Sequence, residues 1–274
     1  MLKLIAIDMD GTLLDDNKNL SEDNINSLEM LFDRGVEIVI ATGRSYEASK
    51  PYIDKFKNGV VEYLICNNGA TVYNLITKQI LVDDFLTENQ IREIIDLEET
   101  LDEFDIHFVG DDKIYTYKNP IGKYTIEDAY ISFLKIYFQT KDMIINNKRI
   151  TKALITAEEN EIERIISNIP ENYFQKYSIV VSSDNYIEIL NKNIDKGHAL
   201  RRVVESMNLN KEEVVAIGDQ QNDIGMFKIA GTSYAMLDAS KKIKAQANYV
   251  GPSNNESGVA KIISKLIEME KSND

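Results

Sequence analysis

The stretch Leu4-Ile5-Ala6-Ile7-Asp8-Met9-Asp10-Gly11-Thr12-Leu13-Leu14 constrains this chain more than any other. It begins as an apolar run short enough for one buried strand. It then breaks into two carboxylates one residue apart, followed at once by Gly-Thr. Residues i and i+2 of an extended strand point to the same side, so Asp8 and Asp10 are expected to face one site where the strand ends. Open α/β sheets take their ligands outside the carboxyl ends of their strands. Two acids this close repel each other, and a divalent cation, or a proton on one of them, relieves the repulsion. A strand running into a polar turn uses the same residue types, so the other strand ends have to decide between the two readings.

Ser21, with Glu22 and Asp23 behind it, suits a helix start, and a helix is predicted from Ser21 to Arg34 with Gly35 as its stop. Val36 to Ala41 predicts a second buried strand, ending in Thr42-Gly43-Arg44-Ser45. A helix from Ser45 to about Phe56 follows, then a third strand from Tyr63 to Cys66, ending in Asn67-Asn68-Gly69-Ala70. The order βαβαβ, with each strand ending in a small polar loop, predicts a parallel, doubly wound sheet. From about Thr71 the texture changes. A hairpin comes first, then helices mixed with strands and joined by hairpin-length turns. That predicts a separate α+β insert with an antiparallel sheet over roughly residues 83–189. The first texture then returns. Lys196 to Met207 reads as a helix, Glu213 to Asp219 as a buried strand ending in an acid, and Gln220-Gln221-Asn222-Asp223 leads into another helix. The expected organisation is a parallel-sheet core of residues 1–82 and 190–274, interrupted by residues 83–189.

Composition narrows the function. The 274 residues suffice for one large domain or two modest ones, and 43% hydrophobic with 28% charged residues is ordinary for a soluble globular chain. A net charge of −14 argues against nonspecific binding to nucleic acid or to an anionic membrane, both of which need a basic face. An anionic substrate would therefore need a locally positive pocket. Cys66 lies in an apolar run, so a buried structural thiol is expected rather than a nucleophile. A single cysteine suits a reducing cytoplasm, and no apolar run approaches the roughly 18 residues of a membrane span. The first residues already read as a strand, without a signal-peptide pattern.

Four loops stand out, all at predicted strand ends or helix starts: Asp8-Met9-Asp10-Gly11-Thr12, Thr42-Gly43-Arg44, Asp195-Lys196-Gly197, and Gly218-Asp219 with Asn222-Asp223. Together they offer carboxylates for a hard cation, a hydroxyl, an amide side chain and one ammonium. That is a kit for holding a phosphate beside Mg²⁺. Gly43 and Gly218 are expected to let backbone approach the ligand. Purely structural roles compete at each position. Thr42 could cap the next helix. Lys196 could be a surface lysine, although a cation at a helix start opposes the helix dipole. His107 and His198 are expected to be packed or surface side chains, and the tyrosines Tyr115, Tyr117, Tyr124, Tyr130 and Tyr137 to belong to the core or surface of the insert.

The four segments Asp8-Met9-Asp10-Gly11-Thr12-Leu13-Leu14, Ala41-Thr42-Gly43-Arg44, Lys196-Gly197-His198-Ala199-Leu200 and Gly218-Asp219-Gln220-Gln221-Asn222-Asp223 resemble, in order and spacing, the haloacid dehalogenase (HAD) superfamily and its Cof-like phosphatases. The resemblance covers essentially the whole chain. It implies a Rossmann-like core with a large inserted cap in the place of residues 83–189. It also implies a Mg²⁺-dependent phosphatase acting on a small phosphorylated metabolite, such as a sugar phosphate. In that reading Asp8 is the nucleophile that forms an aspartyl-phosphate, and Asp10 is the acid and then the base. The Asp8 carboxylate, the Asp10 backbone carbonyl and the Asp219 carboxylate hold Mg²⁺. The Met9 amide, Thr42, the Gly43 amide, Lys196 and Asn222 hold the phosphate, while Asp223 orients the metal's water or Lys196 from behind. A phosphomutase and an idle phosphate-binding regulator remain as alternatives, and oligomeric state stays open. This chain departs from the family in having Gln220 where Gly is usual, and Met236-Leu237-Asp238-Ala239 where Met-Gly-Asn-Ala is usual. Both changes bear on rate or specificity rather than on reaction type. Asn254-Asn255-Glu256-Ser257-Gly258-Val259-Ala260 matches a late family run loosely and is read as a helix start.

Overall fold

A computed structural model describes residues 1–101, 104–110, 113–192 and 194–271. In chain order the strands are β1 (Leu4–Asp8), β2 (Glu37–Ala41), β3 (Val61–Cys66), β4 (Thr71–Asn74), β5 (Ile80–Asp83), β6 (Asp105–Gly110) and β7 (Lys113–Thr116). They continue with β8 (Lys135–Phe138), β9 (Ile150–Thr156), β10 (Tyr177–Ser183), β11 (Tyr186–Asn191), β12 (Val214–Gly218), β13 (Thr232–Ala235) and β14 (Tyr249–Val250). The chain divides into two compact units. One comprises residues 1–42, 49–82 and 195–274; the other comprises 43–48 and 83–194.

The first unit is built on an eight-stranded sheet in the order β14-β13-β12-β1-β2-β3-β4-β5. Every neighbouring pair from β14 to β3 is parallel, and β3–β4 is antiparallel. β1 lies in the middle, with all five of its residues buried. Strands covered on both faces read as apolar runs rather than alternating ones, which is why Leu4 to Ile7 carries no polar residue. Leu4 and Ala6 pack on one side with Val39, Ile65, Leu200, Val203 and Val214. β1 pairs with β2, which follows it closely in the chain, and on its other edge with β12, which comes some 200 residues later. The winding reverses there, and such a switch point leaves a crevice at the carboxyl ends of the strands. The preceding helix geometry agrees with the sequence signals: Glu22–Phe32 is helical, and the Ser21 side chain accepts from the Asn24 amide as its N-cap.

The second unit holds a six-stranded sheet in the order β10-β11-β9-β6-β7-β8. Its pairs are antiparallel except β7–β8, which is parallel, so the sheet is mixed. Alternation along the strands sorts the two faces. Ile106, Phe108, Ala153, Ile155, Ile187 and Ile189 pack beneath helices Glu88–Leu101 and Glu159–Asn168. The opposite face carries Val109, Ile114 and Leu154 against Ala129 and Leu134. Buried polar pairs share that second face. His107 lies 3.0 Å from Thr125 Oγ1 and 2.9 Å from Asp128 Oδ2, and Lys152 pairs with Glu188 at 3.1 Å. Burial alone would raise the Asp128 pKa, but His107 holds it below the usual carboxylate value. His107 is thus a packed, hydrogen-bonded side chain, as expected, and His198 is exposed. Three short helices, Lys141–Ile145, Glu171–Lys176 and Lys241–Lys244, were not foreseen; each is too brief for apolar periodicity to show. Among the described residues no helix is long and apolar enough to cross a membrane.

At the amino end of the first sheet, away from the loops that bear the sequence motifs, Glu37 of β2 shares a hydrogen bond with Glu62 of β3. Burial first, then that hydrogen bond and the Glu62 charge, push Glu37 up to about 7. A carboxyl with a raised folded pKa binds more protons folded than unfolded between its unfolded value and about 7, so its contribution to stability falls as pH rises through that window. Glu37→Gln keeps a donor toward Glu62 but removes the titration. Urea unfolding from pH 5 to pH 8 is expected to show wild type losing stability relative to Glu37→Gln as pH rises to about 7, with a constant difference above it.

Candidate active site

β1 ends at Asp8, which is 5% exposed. The chain then turns sharply: the Leu13 amide donates to the Asp8 carbonyl at 3.2 Å and the Leu14 amide to the Met9 carbonyl at 2.9 Å. Asp10 lies within this turn, two residues past the end of β1, and is bridged to Leu14. Its carboxylate pairs with Lys18 at 2.9 Å. Gly11 has φ +80°, and a Cβ there would stand 2.4 Å from Asp219 Oδ2. The turn thus lets Asp219 come right up to the backbone, and Thr12 Oγ1 donates to Asp219 Oδ1 at 3.0 Å.

Lys196 opens helix Lys196–Ser206, with Asp195 as N-cap accepting from the His198 amide. Its ammonium is buried between two carboxylates, 2.5 Å from Asp8 Oδ1 and 2.8 Å from Asp223 Oδ1. That explains a cation at a helix start: the opposing dipole is outweighed by two acids. Asp223 spends its other oxygen on the Asp219 and Gln220 amides, at 2.9 and 3.0 Å. A Cβ at Gly218 would lie 2.5 Å from the Asp223 side chain, so the room this glycine provides goes to Asp223 rather than to a ligand. Burial raises the Asp8 pKa well above its ordinary value; Lys196 opposes that shift, and Asp223 and Asp219 add to it. Burial, with Asp223 behind it, pushes Asp219 up to about 6. Lys196 shifts the other way. Burial would lower its pKa, but Asp223 and Asp8 override burial and hold it above the usual lysine value.

Of the remaining predicted residues, Thr42, Met9 and Asn222 lie in the first unit, and Gly43 falls in the second. Thr42 follows β2 and is buried; its amide donates to the Ile65 carbonyl at 2.8 Å. The next helix, Tyr46–Ile53, has Ser45 Oγ accepting from the Ala48 amide, so Ser45 caps it. Gly43 continues the loop, and Met9 is fully buried behind Asp8. Asn222 follows β12, and its Nδ2 donates to Asn68 Oδ1 at 2.9 Å. Cys66 is buried, as the sequence suggests.

The acids fit a divalent cation. One carboxylate oxygen from each of Asp8, Asp219 and Asp223 lies within 4.8 Å of the others. Asp8 Oδ2 is buried without a hydrogen-bond partner. Three carboxylates against one ammonium leave an excess of two negative charges in the interior. Asp223 has both oxygens engaged, so Asp8 and Asp219 are the freer ligands, and an all-oxygen donor set suits a hard cation.

Two features escaped the sequence reading. Lys18 on Asp10 comes from a loop whose return cannot be inferred from spacing. The late Asn254-Asn255 pair is more than a helix start. Asn254 Nδ2 donates to the Leu14 carbonyl at 3.0 Å and to Asp16 Oδ1 at 3.1 Å. Asn255 exchanges hydrogen bonds with Asp16 at 3.1 and 2.9 Å. The only sequence signal was two adjacent amides in a family-like run.

A family model described as haloacid dehalogenase-like hydrolase matches residues 5–263. YxeH of Bacillus subtilis (strain 168) is 33% identical over 269 residues, covering 97% of this chain and 99% of that protein. The 5-amino-6-(5-phospho-D-ribitylamino)uracil phosphatase YcsE of the same organism is 30% identical over 266 residues, covering 96% and 94%. A haloacid dehalogenase-like hydrolase from Bacteroides thetaiotaomicron superposes with a TM-score of 0.86 at 25% identity, over 97% of this chain and 100% of that one. The chain belongs to the haloacid dehalogenase-like hydrolase family. Within it, this is an enzyme of the phosphatase kind, a phosphoric monoester hydrolase.

Removing the Lys196 charge leaves buried carboxylates unpaired. Lys196→Met is expected to cost about 3–5 kcal/mol at pH 7 by urea unfolding, and less at lower pH as the carboxyls take up protons.

Proposed function

We propose that the protein is a Mg²⁺-dependent phosphatase of a small phosphorylated metabolite, a sugar phosphate or similar phosphomonoester, working through an aspartyl-phosphate on Asp8. The observation that carries this is the state of the Asp8 carboxylate: one oxygen on the Lys196 ammonium, the other buried without a partner, with Asp219 beside it.

The Asp8 carboxylate, the Asp10 backbone carbonyl and the Asp219 carboxylate would hold Mg²⁺, which when bound neutralises the excess negative charge and polarises a phosphate oxygen. Lys196 balances charge on the transferring group, and the Thr42 hydroxyl, the Met9 and Gly43 amides and the Asn222 amide side chain take phosphate oxygens. A carboxylate oxygen of Asp8 attacks phosphorus as the bond to the leaving oxygen breaks, and the Asp10 carboxyl gives that oxygen its proton. Asp10 then takes a proton from water, which attacks phosphorus, releases inorganic phosphate and restores Asp8. For this the Asp10 side chain has to be free of Lys18 when substrate is bound. Asp223 orients Lys196 and the Asp219 and Gln220 backbone.

We assign residues 1–82 and 190–274 as the catalytic core and 83–189 as the substrate-selecting cap, and place the enzyme in the cytoplasm. The name of YcsE, a phosphatase of a phosphorylated polyol joined to a pyrimidine, supports a small polyhydroxylated substrate.

A panel of phosphorylated metabolites assayed for inorganic phosphate tests the reading. Release is expected with Mg²⁺ and not with a chelator. Asp8→Asn is expected to fall to background, and Asp10→Asn to lose about 10²–10⁴-fold in kcat. Isomerised sugar phosphate without net phosphate release would replace hydrolysis by a mutase. Unchanged activity in Asp8→Asn would replace it by a non-catalytic phosphate-binding role.

A further inference from the structure

The loop after β3 contributes to none of the assigned roles, yet its backbone is unusual. Asn67, Asn68 and Gly69 all have positive φ, at 49°, 54° and 103°. Asparagine tolerates the left-handed region better than most residues, but two in succession persist only where the surroundings hold them. Asn68 is 2% exposed. Its backbone N–H donates to the Thr42 carbonyl at 3.0 Å, and its side-chain Oδ1 accepts from Asn222 Nδ2 at 2.9 Å. Thr42 follows β2 and Asn222 follows β12, while the sheet order is β12-β1-β2-β3. One residue from the β3 loop therefore joins the loops on either side of β1, the strand that ends in Asp8.

An amide side chain presents two N–H donors at one end and an acceptor at the other. Asn68 Oδ1 accepts one N–H of the Asn222 amide, which favours the orientation with the nitrogen end toward Asn68 and leaves a second N–H on the same nitrogen. The Asn222 Oδ1 atom is buried and has no hydrogen-bond partner. Were the amide free to turn, that oxygen would meet a phosphate oxygen with like charge for part of the time.

We propose that Asn68 is a positioning residue for phosphate binding: it fixes the Asn222 amide with its nitrogen end toward the substrate while its backbone steadies the Thr42 loop. This rests on the reading above, in which Asn222 touches the phosphate.

Glycine separates the two contributions, because Asn68→Gly keeps the positive φ and the N–H to Thr42 and removes only the carboxamide. Hydrolysis of an aryl phosphate with Mg²⁺, and its inhibition by inorganic phosphate, would be measured for wild type, Asn68→Gly, Asn222→Ala and the double variant. Each single change is expected to lower kcat/KM by about tenfold and to weaken inhibition by phosphate, with the double variant no worse than Asn222→Ala, as for residues acting in one unit. Asn68→Asp keeps the accepting oxygen and is expected to retain more activity than Asn68→Gly, which also covers the case in which the glycine variant folds poorly. Wild-type kinetics in Asn68→Gly, losses that multiply in the double variant, or Asn68→Asp no better than Asn68→Gly would overturn the proposal. Failure of the underlying reading looks different: no phosphate release by wild type, or unaltered phosphate inhibition in Asn222→Ala, removes the role of Asn222 and the proposal with it.

Discussion

A lysine ammonium buried between Asp8 and Asp223 is the contact on which the rest of this site depends. Charges taken out of water are tolerated only when paired and hydrogen-bonded, and here Asp223 is also held by two backbone amides while Asp8 keeps one buried oxygen without a partner. Asp223 braces the backbone that carries Asp219, Thr12 pins Asp219 from the opposite loop, and Gly218 and Gly11 leave space for the two acids. Lys196 nevertheless balances only one of three carboxylates. The protein interior is thus built with a deficit of positive charge that matches a divalent ion, and the raised pKa values of Asp8 and Asp219 express that same deficit.

Much of this was legible in the residues. β1, β2, β3 and β12 announce themselves as apolar runs ending in Asp8, Thr42, Asn67 and Asp219, because a strand buried on both faces has no polar alternation to confuse the reading. The meeting of Asp8, Lys196, Asp219 and Asp223 followed from four ordered motifs. What was not legible depended on distances that spacing does not encode. Lys18 reaches Asp10 only because the chain doubles back. Gly218 looked like a ligand approach and proved to be room for a neighbouring carboxylate. Asn68 stood only as part of the polar loop after the third strand, since nothing in a single sequence links it to a side chain 154 positions on. The short helices were missed because four to six residues cannot display a period of 3.6.

The inserted unit keeps polar groups where an apolar face would pack more simply. Its sheet buries isoleucines on one side, but on the other it encloses the His107–Asp128 contact and the Lys152–Glu188 ion pair. Replacing buried ion pairs by apolar residues of like volume is often neutral or favourable, so stability alone gives little reason to retain these. The alternation of the strands places His107, Lys152 and Glu188 on the same face of the sheet, and Asp128 meets His107 from helix Lys123–Ile131.

The order in which the sheet is threaded has a consequence for biogenesis. β1 leaves the ribosome some 200 residues before one of its two neighbours, β12, and before the Asn254-Asn255 clasp on the Leu14–Asp16 turn. All the strands of the inserted sheet lie between residues 105 and 191, so it can complete its own pairing during synthesis. The carboxyl end of the core sheet is therefore completed last, after the middle of the chain has what it needs to pair, and a polypeptide released early carries Asp8 without Lys196, Asp219 and Asp223.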